Sequence, residues 1–301
     1  MMVSIITPTY NNSEGVIDLF DKLQKQTVFN FEWIIVDDGS SPQQQNKLNK
    51  LKTQKALFNI RIFRQANQGK HIALNLAFSK VKGEVTIIID SDDRPIPRMM
   101  EIINKYWTIQ RLEDSKLGII TFERGTDSKH PLQPLPKNLW RDNYINYRFK
   151  NSLYGDYAET FKSSVLRKYN FPKFNHEKFL NEGYILNKLG ASVESLFVDK
   201  IIYISEYRSE GLTKNIREIE WNNPVGTFEV SKMSLNNPYL SSKSLLKNTI
   251  KYCLFGLRNN ISIKKLKANM SEKYIFFACL PIAFIFYIVF SLKYRKSKFQ
   301  E

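Results

Sequence analysis

The chain is poor in the residues that oxidised scaffolds and most metal centres are built from. Two cysteines, Cys253 and Cys279, occur among 301 residues. That is too few for a disulfide framework or a cysteine-based zinc site. The three histidines, His71, His130 and His176, are scattered and do not suggest a histidine-rich metal centre. There is no Gly-x-Gly-x-x-Gly and no Gly-x-x-x-x-Gly-Lys-[Ser/Thr], which argues against a dinucleotide fingerprint and a P-loop. No helix-turn-helix, zinc-finger or RNA-recognition signature is present, so nucleic acid is not an expected partner. Met1-Met2-Val3-Ser4 has no basic stretch leading into a long apolar run. No signal peptide is therefore expected, and the catalytic part should work in a reducing cytosol.

What is present is apolar and basic. Apolar residues make up 43% of the chain, enough to bury the core of one large or two ordinary domains. The net charge of +16 suggests a polyanionic partner, and its distribution narrows the choice. Residues 243–301 hold 12 basic and two acidic side chains, or +10, which leaves +6 for the first 242. The same tail contains Tyr274 to Leu292, 19 residues without a charge, bounded by Lys273 and Lys293. As a helix this run reaches roughly 28 Å, about one hydrocarbon core, and Pro281 would kink it without forbidding it. Basic residues around an apolar segment fit an anionic membrane surface. Both flanks are basic, so the positive-inside rule selects no orientation. A single span and an in-plane segment with both flanks cytosolic remain open.

The first 125 residues alternate between two periodicities. Val3 to Thr7, Phe31 to Val36, Asn59 to Phe63, Glu84 to Ile89 and Leu117 to Phe122 read as strands. Glu14 to Gln26, Gln43 to Ala56, Lys70 to Val81 and Ile96 to Gln110 read as helices. Such alternation predicts an α/β fold with a mostly parallel sheet flanked by helices. Ligands in such sheets bind beyond the carboxyl ends of the strands. Three polar clusters fall there: Thr7-Pro8-Thr9-Tyr10-Asn11, Asp37-Asp38, and Asp90-Ser91-Asp92-Asp93.

Asp90-x-Asp92 is a pair of hard oxygen ligands suited to Mg²⁺ or Mn²⁺, and a cation held by so few carboxylates usually shares a diphosphate. A run of acids directly after a buried strand is costly unless a cation or base pairs with it. Asp37-Asp38 offers a carboxylate to a nucleobase or ribose, or forms a local turn. Gly69-Lys70 before a helix N-terminus is a plausible diphosphate neighbour, or a plain cap.

In their order these segments resemble the family 2 glycosyltransferases. The resemblance is carried by Val3-Ser4-Ile5-Ile6-Thr7-Pro8-Thr9-Tyr10-Asn11, Trp33-Ile34-Ile35-Val36-Asp37-Asp38-Gly39-Ser40, Asn67-Gln68-Gly69-Lys70-His71-Ile72-Ala73-Leu74-Asn75 and Ile89-Asp90-Ser91-Asp92-Asp93. It implies a GT-A-like (Rossmann-like) domain and inverting transfer of a sugar from a nucleotide-diphosphate donor with a divalent cation. By position it places Pro8, Tyr10 and Asp38 in the base and ribose pocket, Asp90 at the ribose or diphosphate, and Asp92, with Asp90, at the metal. Lys70 and Asn75 fall near the donor, and Arg208, after the strand Ile201 to Ile204, near the diphosphate. The family's general base maps to Glu182, where Asn181-Glu182 stands in place of the usual acidic pair; Glu177 is the substitute.

The expected organisation is a nucleotide-sugar half over residues 1–125, an acceptor half over 126–242 and a basic, apolar helical tail over 243–301. Trp140, Tyr144, Tyr147, Phe149, Tyr154, Tyr157 and Phe161 could stack on sugar rings, but a packed core explains them better. The expected function is transfer to a glycan or lipid-linked acceptor in surface-polysaccharide synthesis, on the cytoplasmic side of a membrane. A sugar nucleotidyltransferase would need a Gly-rich N-terminal loop that Thr7-Pro8-Thr9-Tyr10-Asn11 does not provide. A non-catalytic basic binding protein would need a basic stripe in the folded domain, where carboxylates cluster instead.

Overall fold

Strands buried on both faces need continuous apolar and β-branched sequence, and the N-terminal third supplies it. The structure, a computed structural model, describes residues 1–151, 153, 155–205, 215–235, 237 and 239–295. It opens with β1 (Val3–Thr9), α1 (Ser13–Leu23), β2 (Phe31–Asp37), α2 (Pro42–Lys50), β3 (Asn59–Arg64), α3 (Lys70–Phe78) and β4 (Val85–Ile88). Every residue of β1 and β2 is buried. Then come β5 (Asp93–Pro95), α4 (Met99–Tyr106), α5 (Ile109–Glu113), β6 (Leu117–Gly125), β7 (Trp140–Asn143), α6 (Tyr144–Lys150), β8 (Ala158–Lys162), α7 (Ser163–Leu166), α8 (Gly183–Gly190) and β9 (Glu194–Ser205). The chain ends in α9 (Ile216–Asn222), α10 (Pro224–Leu235), α11 (Ser242–Arg258), α12 (Ile263–Ala268) and α13 (Lys273–Arg295).

The strands form one sheet in the order β3-β2-β1-β4-β8-β6-β9-β5, with β7 added to β9. The four strands β3, β2, β1 and β4 are parallel, as the sequence predicts. Beyond β4 the sheet is mixed, because β8 runs antiparallel to both β4 and β6, while β6 and β9 are parallel. The sequence reading names no strand over β5, β7 or β8. β5 contains Pro95 and β7 is a short exposed edge, neither of which carries a periodic apolar signal.

The chain divides into two compact units, Met1–Pro172 with Lys188–Tyr207, and Lys173–Asn187 with Arg208–Glu301. Residues after 125 join the first unit because β8 and β9 complete the sheet that β1 to β4 begin.

In the first unit the register gathers the strand ends. Thr9 lies opposite Asp37, and Ile6 opposite Ile88. Trp33 Nε1 donates to Thr7 Oγ1 at 2.9 Å, and Thr7 Oγ1 donates to Ile89 O at 2.9 Å, so one chain of hydrogen bonds crosses β2, β1 and the end of β4. Trp33 also packs among Phe20, Phe31 and Phe58, closing one side of the sheet.

At the opposite ends of these strands Glu32, 1% exposed, accepts from Ser4 Oγ (2.6 Å), Lys82 N (2.7 Å) and Arg61 Nη1 (2.7 Å). Burial penalises the charge, yet these bonds hold its carboxyl below the usual range. Removing it would take the acceptor from the Lys82 N–H and the buried Ser4 hydroxyl and leave the half-buried Arg61 guanidinium only the Lys80 carbonyl at Nη1. We expect Glu32→Ala to cost about 3–5 kcal/mol, measured by chemical denaturation; a loss below about 1 kcal/mol would show that the ion pair is idle.

Candidate active site

Asp38 organises the first part of the site. It is 4% exposed and sits just past the end of β2. Its Oδ1 accepts from Gln65 Nε2 (2.8 Å) and Gln68 N (2.9 Å), and its Oδ2 from Gly69 N (2.7 Å). The carboxylate therefore holds the 65–69 segment and the start of α3. Two glycines make this close approach feasible. Gly39 has φ +78°, and a Cβ there would stand 2.6 Å from Asn67 N. Gly69, at φ +95°, turns the chain into α3.

The tip of β1 is tied to the same region. Asn11 N donates to Ser40 Oγ at 2.8 Å, and Ser41 N to Asn11 Oδ1 at 2.8 Å. Tyr10 is 52% exposed, whereas Pro8 lies buried within β1. Asp37 accepts from Ser40 N through Oδ1. Arg64 Nε stands 3.5 Å from Asp37 Oδ2, close enough for attraction but without hydrogen-bond geometry. Thr9 Oγ1 is buried here without a protein partner.

The acidic run follows β4. Lys70 Nζ pairs with Asp90 Oδ2 at 2.6 Å, both partly exposed. Ser91 Oγ accepts from Asn12 Nδ2 at 2.8 Å, which fixes the run against the start of α1. Asp93 is buried and accepts from Ser205 Oγ (2.5 Å) and Arg124 Nη2 (3.1 Å). Burial pushes its carboxyl up to about 6 against the pull of Arg124, and the charges of Asp90 and Asp92 add to the push. Negative charge thus exceeds what Lys70 and Arg124 neutralise.

That excess, carried on hard oxygen donors, fits a divalent cation. Among the described residues no group of three or more His, Cys, Asp or Glu side chains forms a metal cluster. A cation at Asp90 and Asp92 would therefore need further oxygen ligands from a bound phosphate, as Mg²⁺ and Mn²⁺ commonly do.

Other predicted residues are committed to the protein. Asn75 donates through Nδ2 to Phe171 O and accepts at Oδ1 from Phe171 N, both at 2.8 Å. Its amide therefore clamps a distant loop. In the second unit, Glu177 accepts from Val225 N (2.6 Å) and Gly226 N (2.8 Å) in the first turn of α10. Both its oxygens serve as a helix cap, and burial raises its carboxyl above the usual range. Glu182 is half-buried and immediately precedes α8; its carbonyl accepts from Leu186 N. Arg208 and Tyr154 lie outside the described residues. Tyr144 and Tyr147 pack on Phe197 as core side chains, while Trp140, 50% exposed and stacked on Tyr147, presents its ring to solvent.

Sequence reasoning missed Arg124 and Ser205 beside the acidic run, and it gave Asp93 and His71, both within the quoted segments, no role of their own. The signal for Arg124 was a cation at the end of an otherwise apolar strand. His71 follows Lys70 in α3, is 2% exposed and has no partner at Nδ1.

A mixed α/β sheet flanked by helices, with an acidic run after β4 met by Lys70 from the start of α3, is an arrangement that the GT-A glycosyltransferase fold also has. The model of the family described as "Glycosyl transferase family 2" matches residues 4–175, more than half of the chain. The chain belongs to this family. The glycosyltransferase GlyG of Streptococcus pneumoniae serotype 4 (strain ATCC BAA-334 / TIGR4) is 23% identical over 235 residues, covering 73% of this chain and 75% of that one. An undecaprenyl-phosphate 4-deoxy-4-formamido-L-arabinose transferase of Serratia proteamaculans is 29% identical over 114 residues, 36% of this chain and 35% of the relative. The match thus spans about a third of such transferases. S. aureus TarS 1-349, solved in complex with UDP-GlcNAc, shares the fold with a TM-score of 0.59 at 18% identity, over 94% of this chain and 80% of that one. The mannosyltransferase PcManGT from Pyrobaculum calidifontis, solved in complex with GDP-Man and Mn²⁺, gives 0.58 at 15%, over 96% and 86%.

Burial pushes the His71 imidazole down to about 4 against the opposite pull of Asp38. Folded His71 stays neutral to about pH 4, while the unfolded ring takes a proton near its ordinary 6.5. Its contribution to stability is complete above pH 6.5 and is lost as pH falls through 4, on the order of 3 kcal/mol. Denaturation at pH 7 and pH 4.5 should show a smaller loss for His71→Gln than for wild type. Equal losses would remove His71 from the acid response.

Proposed function

We propose that the chain transfers a sugar, with inversion, from a nucleotide-diphosphate sugar to a hydroxyl of a glycan or lipid-linked acceptor. The observation that carries the reading is the acidic run Asp90–Asp93 at the end of β4, which Lys70 and Arg124 neutralise only in part. It is supported by family membership and by TarS and PcManGT, structures of the same fold solved with UDP-GlcNAc and with GDP-Man and Mn²⁺.

In this reading Tyr10 and the neighbouring Pro8 backbone flank the nucleobase. Asp38 shapes the base and ribose pocket through the 65–69 segment that it holds. Lys70 exchanges part of its pairing with Asp90 for a donor phosphate oxygen, and Arg208 is assigned to the same diphosphate. Asp92 and Asp90 would hold Mg²⁺ or Mn²⁺, which would supply positive charge against the charge developing on the leaving diphosphate. Glu182 takes the proton from the acceptor hydroxyl as its oxygen attacks the anomeric carbon, and the diphosphate leaves with the bonding electron pair. Glu182 is preferred to Glu177 because both Glu177 oxygens already cap α10. The similarity to undecaprenyl-phosphate sugar transferases and the apolar helix α13 support a lipid-linked acceptor at a membrane, and the cytoplasmic side is part of the proposal.

Nucleotide-sugar binding is tested by thermal shift across UDP- and GDP-sugars with Mn²⁺ or Mg²⁺. Asp92→Ala should lower hydrolysis and transfer about 100-fold or more, and activity undiminished by this change would sink the cation role. Glu182→Gln should lose about 10²- to 10⁴-fold in turnover. Glu177→Gln should keep turnover near wild type and lose about 1 kcal/mol of stability with its cap. The reverse pattern would move the base to Glu177.

A further inference from the structure

The second unit carries a helix with two different apolar faces. Helix α13 offers 22 residues long and apolar enough to cross a membrane, about 33 Å of helix, yet only 17% of its apolar stretch is buried. Its buried side chains, Phe276, Cys279, Ala283 and Tyr294, with Tyr287 and Phe290 partly buried, fall within one arc at ~100° per residue. That arc packs on the rest of the unit. Cys279 meets the Leu246 carbonyl of α11, and Trp221 of α9 meets Tyr287, Phe290 and Tyr294. The opposite arc is wider and exposed, and it includes Phe277, Phe284, Ile285, Ile288, Val289 and Leu292.

The charges around α13 are ordered in the same way. Lys273 and Lys293, both exposed, fall at opposite margins of the exposed arc. Lys267 of α12 places its Nζ 5.0 Å from the Phe277 ring, and Lys264 and Lys265 beside it are exposed. The one acidic side chain at this end is Glu272. An apolar face rimmed by lysines suits an acyl boundary below and anionic headgroups around it.

Behind the packed arc stand charges that cannot follow α13 into hydrocarbon. Lys251 pairs with Glu220, the neighbour of Trp221, and Arg258 lies 4.6 Å over the Trp221 ring. These groups lie alongside the C-terminal half of α13. An upright span would carry them to hydrocarbon depth, where such side chains are costly. A helix lying flat keeps them on the aqueous side.

We propose that α13 is an in-plane anchor: its exposed arc sinks into the surface of an anionic bilayer, its packed arc holds the second unit above it, and neither end crosses. The proposal rests on the membrane part of the proposed function and decides between the two placements that the sequence left open.

The test uses the full chain with vesicles of phosphatidylcholine alone or mixed with phosphatidylglycerol. Wild type should float with the mixed vesicles and bind neutral ones at least about tenfold more weakly. Phe284→Asp with Ile288→Asp should abolish flotation while leaving the melting temperature unchanged, since both side chains are exposed. Lys273→Cys and Lys293→Cys should each react with a membrane-impermeant maleimide added outside sealed vesicles; the native Cys253 and Cys279 are buried. Binding indifferent to lipid charge overturns the proposal, as does protection of either introduced thiol. So does a double variant that still floats but sediments as a smaller species, which would give the face to a second copy of the chain. Hydrolysis of a sugar nucleotide by wild type without vesicles reports separately on the proposed reaction, so either reading can fail alone.

Discussion

The carboxylate of Asp38 is the interaction on which the donor side of the molecule depends. It is nearly excluded from water and is stabilised there by two backbone N–H groups and one amide of the 65–69 segment. A buried charge with so few solvent contacts is tolerable only while those donors stay in place. The segment cannot relax without exposing the charge, and the charge cannot be lost without freeing the segment. Gly69, Lys70 and His71 enter α3 from this clamp. The position of the Lys70 ammonium against Asp90 is thus inherited from a hydrogen-bond set at the end of a different strand. The same logic recurs at Asp93, where Ser205 and Arg124 of the far strands hold the other end of the acidic run.

This division explains what the sequence made legible. β1 to β4 and the helices between them were readable because buried parallel strands are continuous apolar runs and their polar clusters are local. Asp90, Asp92, Asp38 and Lys70 stand out because each occupies a strand end or a helix start. Asp93–Ser205 is different: 112 residues separate its partners, and nothing near either residue announces the other. Asn75 and Glu177 are named by position, and the backbone partners that the fold gives them, at Phe171 and at Val225 and Gly226, are distant in sequence. A sequence names a side chain's chemistry and not the use to which a distant loop puts it. The division at Pro172 was equally hidden, because β8 and β9 return to a sheet whose periodicity seemed finished.

The two units also handle burial of charge differently. The first concentrates carboxylates and balances them with single cations. The second keeps its ion pair and guanidinium behind a layer of aromatic side chains, Trp221, Tyr287, Phe290 and Tyr294. Aromatic rings suit that place, having large apolar faces that also attract a cation lying over them, as Arg258 lies over Trp221.

The order of strands in the sheet bears on how the chain is made. β4 lies between β1 and β8, and its second neighbour is not reached until Ala158. During synthesis that edge stays open for roughly several seconds at ordinary elongation rates. An apolar edge of this kind invites pairing with another chain. Glu84 and Asp90 bracket it, and both carry charges that oppose such pairing. Glu84 before β4 and Asp90 after it thus stand where like-charge repulsion would oppose edge-to-edge pairing of two such chains.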